Sequence, residues 1–361
     1  MKKYIFLLLF IFPFLVLFCK DNPTDSNDQQ QSVQVGDSLK IIATGFVFGD
    51  NRPFAQCHAS TLVYTNDEKF LVAWFGGTSE GNNDVGIWLS KGTPEGWSYP
   101  EEVAKINEQP HWNPVLFKTP SGEIILYFKV GPSPSEWATW YKVSGDNGET
   151  WSSAQELVPG DSLARGPVRN KPIVLSDGSW LAGSSDEKNN IWNVFCDRSI
   201  DQGKTWTNTA FIPVNRDSIK GRGVIQPTLW ESSPGEVHML MRSTNGSLCR
   251  SDSKDFGQTW SEVYKTGLPN NNAAIDVTKL DDGTLVLVFN NLSTDGVRTP
   301  INVAVSKDNG ETWPTIIRME HFKGVEFSYP AIINMGNKVY GTYTWRSRQR
   351  IAFWVGEMTE P

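Results

Sequence analysis

The chain has 361 residues, with 33 Lys and Arg against 40 Asp and Glu and a formal charge of −7. That acidic balance excludes a nucleic-acid partner gripped through a basic surface. The four cysteines, Cys19, Cys57, Cys196 and Cys249, have no CxxC spacing, which excludes a disulfide framework and a cysteine zinc site.

Lys2 and Lys3 precede an apolar run from Tyr4 to Phe18 that stops at Cys19. A positive start followed by so short an apolar stretch predicts a secretory signal over residues 1–18. Cys19, between the apolar run and a polar tract, resembles the acylated cysteine of a bacterial lipoprotein, although Phe18 stands where such sites usually carry a small residue. An ordinary signal peptide or an uncleaved anchor is the alternative. Residues 19–36 read as the lipidated cysteine and a solvated tether, poor in large apolar residues. The acidic start of the tether resembles the signal that sends lipoproteins to the outer face of the outer membrane. The only membrane contact expected is through the lipid.

Residues 37–361 carry a repeat. SGDNGETW (144–151), SIDQGKTW (199–206), SKDFGQTW (253–260) and SKDNGETW (306–313) begin 55, 54 and 53 residues apart. SKGTPEGW at 90–97 is a degraded copy. So regular a period indicates a repeat architecture. Turn pairs fall between short β-rich runs at Asn66-Asp67, Ser121-Gly122, Asp177-Gly178, Pro234-Gly235, Asp282-Gly283 and Gly336-Asn337, predicting six hairpins. Six four-stranded units with no helical pattern predict an all-β, six-bladed β-propeller.

The S-x-D-x-G-x-T-W turn resembles the Asp-box of the sialidase superfamily, and the similarity runs from about Ile41 to Val355. This resemblance implies that the boxes join outer strands away from the active face, so Asp146, Asp201, Asp255 and Asp308 are scaffold. The funnel face is then read from the strand ends that precede and follow each hairpin, together with two loops that leave that face and add Asp84 and Arg298. It gathers His58, Asp84, Trp74, Trp112, Asn113, Lys129, Lys171, Gln226, Arg242, Asp276, Arg298, Tyr329 and Arg346. Basic groups beside flat rings suit an anionic oligosaccharide, bound by a monomer. No cofactor is expected, and no residue spacing marks a metal site, with a structural calcium or zinc left open.

By the same resemblance, Arg242 and Arg298 match two of the three arginines with which sialidases hold the substrate carboxylate. Tyr329 matches the nucleophile and Asp84 the acid. Two positions depart: His58 stands at the first arginine and Gln226 at the glutamate that activates the tyrosine. An amide cannot take the tyrosine proton near neutral pH. The first expectation is therefore β-elimination on a uronate, by a lyase or dehydratase like the ulvan-type lyase propellers, with His58 as base, Tyr329 as acid and the arginines stabilising the developing charge. His111 is a rival base, while His238 and His321 are read as structural. The alternatives are an exo-acting glycoside hydrolase of sialidase type, using Tyr329 and Asp84, and a surface glycan-binding lipoprotein without catalysis. In each, Lys129, Lys171, Gln226, Asp276, Arg346, Trp74, Trp112 and Asn113 contact the sugar.

Overall fold

A computed structural model describes residues 38–359. The signal, Cys19 and the whole tether lie outside them. The described residues form six antiparallel sheets arranged as propeller blades. Blade 1 is Gln56–Tyr64, Phe70–Gly77 and Gly86–Thr93, with Gly96–Trp97 and Glu101–Ala104 both paired to the third strand. Blade 2 is His111–Lys118, Ile124–Val130, Ala138–Ser144 and Gln155–Glu156, and blade 3 is Ile173–Val174, Trp180–Asp186, Asn193–Ser199 and Thr207–Asn208. Blade 4 is Val224–Ser233, Glu236–Ser243, Ser247–Ser253 and Tyr264–Pro269, and blade 5 is Asp276–Lys279, Leu285–Phe289, Ile301–Ser306 and Thr315–Glu320. Blade 6 takes Ser328–Met335, Lys338–Trp345 and Arg350–Met358 from the C-terminal end, and its outer strand is Leu39–Phe46. All six predicted hairpin turns connect first and second strands. The closure of the last blade by an N-terminal strand has no signature in the repeat.

The ring is held by apolar faces between blades. Each middle strand is sandwiched between neighbouring sheets, so Phe70–Gly77 and Leu285–Phe289 are buried along their whole length. The buried apolar residues fall into one major cluster per blade interface, for example Leu39, Val288, Val303 and Trp354 between blades 5 and 6, and Phe70, Trp74, Ile351 and Phe353 between blades 6 and 1. Truncating one such Leu or Ile to Ala is worth about 2–5 kcal/mol in general.

The Asp-boxes join third to fourth strands and consume their own carboxylates. Asp146 accepts from Ser144 Oγ at 2.8 Å, from the Thr150 amide at 2.9 Å and from Thr150 Oγ1 at 2.5 Å, and Asp201, Asp255 and Asp308 repeat the pattern. The fourth box residue is left-handed each time (Asn147, Gln202, Phe256, Asn309, φ 57–62°), and the following Gly continues the turn at φ 75–85°. At Gly148 a Cβ would lie 2.4 Å from Leu71 of blade 1, so only glycine lets the box pack there. Threonine donors hold Asp146, Asp201 and Asp308 down at about 2, below the ordinary 3.8. A lowered folded-state value gives stability that is complete above the unfolded pKa and lost as pH falls through the folded one. The melting-temperature advantage of the wild type over Asp308→Asn is therefore expected to shrink as the buffer is taken from about pH 5 to about pH 2. An advantage that held constant over that range would show that the box carboxylate contributes nothing through its charge.

Candidate active site

The innermost strands of blades 1, 2, 4 and 6 share a device. Pairing with the second strand slips between His58 and Thr61, Trp112 and Val115, Ile225 and Thr228, and Ser328 and Ala331. At each slip one non-glycine residue has positive φ: Ala59 at 58°, Asn113 at 38°, Gln226 at 54° and Tyr329 at 53°. Such a residue costs on the order of 1 kcal/mol, and bulges of this kind re-aim side chains beside active sites.

Two re-aimed side chains meet at Arg242. Its Nη1 donates to the Tyr329 hydroxyl at 2.8 Å and to Gln226 Oε1 at 3.1 Å, while Nε donates to Asn272 Oδ1 at 2.9 Å. The Tyr329 ring is ringed by cations, with the guanidinium carbons of Arg298, Arg169 and Arg242 at 5.1, 5.4 and 5.9 Å from its centre. Arg169, buried, reaches from blade 3 to donate to the Tyr329 and Pro330 carbonyls at 2.8 Å each. Burial lowers it to about 10, so it stays charged at neutral pH.

Arg298 also opens a chain of alternating charge. Arg298 Nη1 binds Glu326 Oε1 at 2.7 Å, Arg348 Nε binds Glu326 Oε2 at 3.3 Å, and Arg348 Nη1 binds Glu80 Oε2 at 2.6 Å. Burial alone would raise Glu326, but Arg298, Arg348 and the Ser328 hydroxyl outweigh it and hold the carboxyl below its ordinary value. Arg348 sits on a turn whose residues Arg346, Ser347 and Arg348 all have positive φ. The Ser347 amide bonds the Glu326 carbonyl at 2.9 Å, and Cys57 N bonds the Arg348 carbonyl at 2.9 Å. Removing one member of such a half-buried ion network leaves its partners unpaired, so Glu326→Ala is expected to destabilise the fold by about 3 kcal/mol. Urea unfolding measures this, and a loss below about 0.5 kcal/mol would mean that the arginines re-pair with solvent at no cost.

His58 lies within this shell but is sealed. It is 1% exposed, its Nδ1 is 2.9 Å from Thr344 Oγ1, and its ring centre is 4.1 Å from that of Tyr329. Nε2 is buried without a hydrogen bond, 3.9 Å from Glu326 Oε1. Burial, reinforced by Arg348, Arg298, Arg169 and Arg242, keeps the imidazole neutral far below the ordinary histidine range. The rival His111 accepts the Ile106 amide at 2.9 Å and anchors a loop, with burial lowering it to about 4.

Several expected sugar contacts prove to be scaffold. Trp74 is fully buried between Phe48 and Phe54. Lys129 is fully buried and spends its donors on Thr139 Oγ1 and the Ala164 and Arg165 carbonyls. Counting strand ends set both at the rim, whereas alternation turned them inward. Asp276, 2% exposed, is saturated by Lys171 at 2.9 Å, Thr228 Oγ1 at 2.8 Å and the Val277 and Ile332 amides at 3.0 Å each, so it and Lys171 stitch blades together. Asn113 donates to the Val168 carbonyl at 3.1 Å. Trp112, nearly buried, donates to the Gly131 carbonyl at 2.9 Å and lies beneath Gly81. Arg346 is exposed and stacks 5.5 Å over Trp345, with no described bond to the cluster. Asp84 is exposed, and its carboxylate is oriented by Thr78, whose amide and hydroxyl donate at 2.8 and 2.9 Å. From the same loop, Glu80 is the carboxylate that reaches the arginines.

Arg169, Arg348, Glu326, Glu80 and Glu187 are absent from the sequence expectations. Glu187, at the end of the blade 3 strand, is raised by burial against the opposing pull of Arg242 and Arg222. Arg169 lies two residues before Lys171, which the strand starts select, so a slightly wider window along the chain contains it. The others sit in loops that the repeat does not register.

The BNR repeat-like domain family matches residues 68–341. A sialidase from Bacteroides fragilis is 24% identical over 288 residues, covering 74% of this chain and 48% of its own length, so the chain spans about half of that relative. Among solved structures, a protein of unknown function from Dyadobacter fermentans superposes with a TM-score of 0.73 at 16% identity, over 89% of this chain and 99% of that one. The NanB sialidase from Streptococcus pneumoniae superposes with a TM-score of 0.68 at 14% identity, over 88% and 70% respectively. With three quarters of its length inside the family match and six blades, four of which carry Asp-box turns, the chain belongs to the BNR repeat-like family of sialidase-superfamily β-propellers.

Proposed function

We propose that this chain is an exo-acting glycosidase that takes the terminal acidic sugar of an oligosaccharide into the funnel. Arg242 and Arg298 hold its carboxylate, and Tyr329 attacks the anomeric carbon as its phenol proton passes to water and Asp84, steadied by Thr78, protonates the leaving oxygen. A water molecule then cleaves the sugar–tyrosine bond and restores the phenol. The observation that carries this reading is the Arg242–Tyr329 hydrogen bond within a ring of three guanidiniums, a set of cationic donors surrounding one nucleophile. Hydrolysis is favoured over elimination because elimination needs a base that reaches the sugar C5. His58 is sealed, engaged by Thr344 and too weakly basic for that role. A lipid anchor on Cys19 would hold the funnel at the outer membrane surface, where oligosaccharides arrive.

Gln226 supplies the test. Its amide shares Arg242 with Tyr329 but cannot take the phenol proton. If Tyr329 is the nucleophile, Gln226→Glu adds the missing base and is expected to raise kcat on a terminal acidic sugar at least about tenfold, close to 1.4 kcal/mol. An unchanged or lower kcat in a folded Gln226→Glu protein would remove the tyrosine from the nucleophilic role.

A further inference from the structure

Blade 4 carries a second constellation, at the far end of the strand that begins near Gln226. Cross-strand register sets Trp230 opposite His238 and His238 opposite Asp252, with Ser232 two residues beyond Trp230 on the same strand. His238 Nε2 is 2.7 Å from Ser232 Oγ, and His238 Nδ1 is 2.5 Å from Asp252 Oδ1. The amide of Asn309, from the blade 5 Asp-box, lies with Nδ2 at 3.1 Å from Nε2, and its Oδ1 accepts from Trp230 Nε1 at 2.7 Å. That indole bond fixes which way the amide points, so two donors face Nε2. The short contact with the Asp252 carboxylate outweighs the 3.1 Å approach of Arg250 Nη2, so the imidazole carries its proton on Nδ1 and turns its Nε2 lone pair to the Asn309 amide and the serine hydroxyl.

The orienting carboxylate is itself held. Asp252 accepts from Tyr264 at 2.8 Å and from Arg250 Nε at 2.9 Å, and the Arg250 Nη2 lies 3.1 Å from Nδ1. Burial would raise Asp252, yet the His238, Tyr264 and Arg250 donors bring it to about 2, so it is ionised at neutral pH. The ring of His238 stacks on Trp230 at 5.2 Å. These groups sit on three paired strands, which fix their geometry better than loops do. Ser232 is partly exposed beside the exposed Ser233, Pro234 and Glu236 of the hairpin.

We propose that Ser232, His238 and Asp252 form a second active site, a serine esterase for small acyl esters, with the Asn309 amide donating to the oxyanion. The constellation has the geometry and roles of a nucleophile, base and orienter. Ser232 Oγ adds to the ester carbonyl while Nε2 takes its proton. The alkoxide leaves with that proton, and water then cleaves the acyl-serine to the free acid and restores the hydroxyl. The reaction consumes only ester and water. It is independent of the funnel and of the sugar chemistry proposed there.

The full chain would be treated with a fluorophosphonate and the adduct mapped by tandem mass spectrometry, alongside p-nitrophenyl acetate turnover in the wild type, Ser232→Ala and His238→Gln. The expected result is an adduct on Ser232 and a loss of ester turnover of about 100-fold in either variant. An adduct absent from Ser232, or Ser232→Ala hydrolysing the ester at the wild-type rate, overturns the proposal. Because adduct mapping uses the unaltered protein, a variant that fails to fold does not blunt the result.

Discussion

Tyr329→Phe is expected to lower kcat on a terminal acidic sugar by about a thousandfold or more, on the order of 4 kcal/mol of transition-state stabilisation. The phenol oxygen meets Arg242 at 2.8 Å, while the ring packs 4.1 Å from His58 and lies between the arginines. Phenylalanine keeps that ring and its packing, so the stability change should stay within about 1 kcal/mol, the worth of one hydrogen bond. Affinity for the sugar, read by calorimetry, should change only a few-fold, because Arg242 and Arg298 remain. A kcat that survives the substitution would move the chemistry to another group, with Glu187 the next to replace.

Arg242→Met should cost about as much in kcat/KM, roughly a thousandfold, but through a different route. This one guanidinium serves Tyr329, Gln226 and Asn272 and stacks 5.2 Å over Trp192. Its loss removes both a carboxylate ligand and the donor to the nucleophile, so KM should rise while kcat falls. Arg242→Lys retains the charge but not the planar fork, and one ammonium cannot reach Tyr329 and Asn272 with the same geometry. Partial recovery of KM with little recovery of kcat is the pattern expected for lysine. Full recovery of both would reduce Arg242 to a point charge.

The propeller was legible because its signal is periodic. Four Asp-boxes at nearly equal spacing and six turn pairs fix blade number and strand order, and each lies in the turn expected of it. The last strand was not, since Leu39–Phe46 belongs to blade 6 only through pairing with Arg350–Met358, more than 300 residues away. Within the funnel, the reading from strand ends found Arg242, Gln226 and Tyr329, a loop on the same face added Arg298, and these four do converge. It misjudged Trp74 and Lys129 because strand position gives height along a blade but not which face a side chain takes. It also missed Arg348 and Glu326, which reach the centre through a strained turn and an ion network that only the folded ring creates. Proline after Asn113, Gln226 and Tyr329 was an available clue, recurring where the innermost strands bulge.

The most direct test of hydrolysis at Tyr329 is mass spectrometry of the products formed from sialyl-lactose and from uronate-ending oligosaccharides. Ultraviolet absorbance of any unsaturated sugar would be followed in the same samples. The account predicts release of an intact acidic sugar with one water added across the bond, no rise in absorbance, and loss of the reaction in Tyr329→Phe. An unsaturated uronate, formed by loss of water or by cleavage without its addition, would contradict it and return the funnel to elimination chemistry.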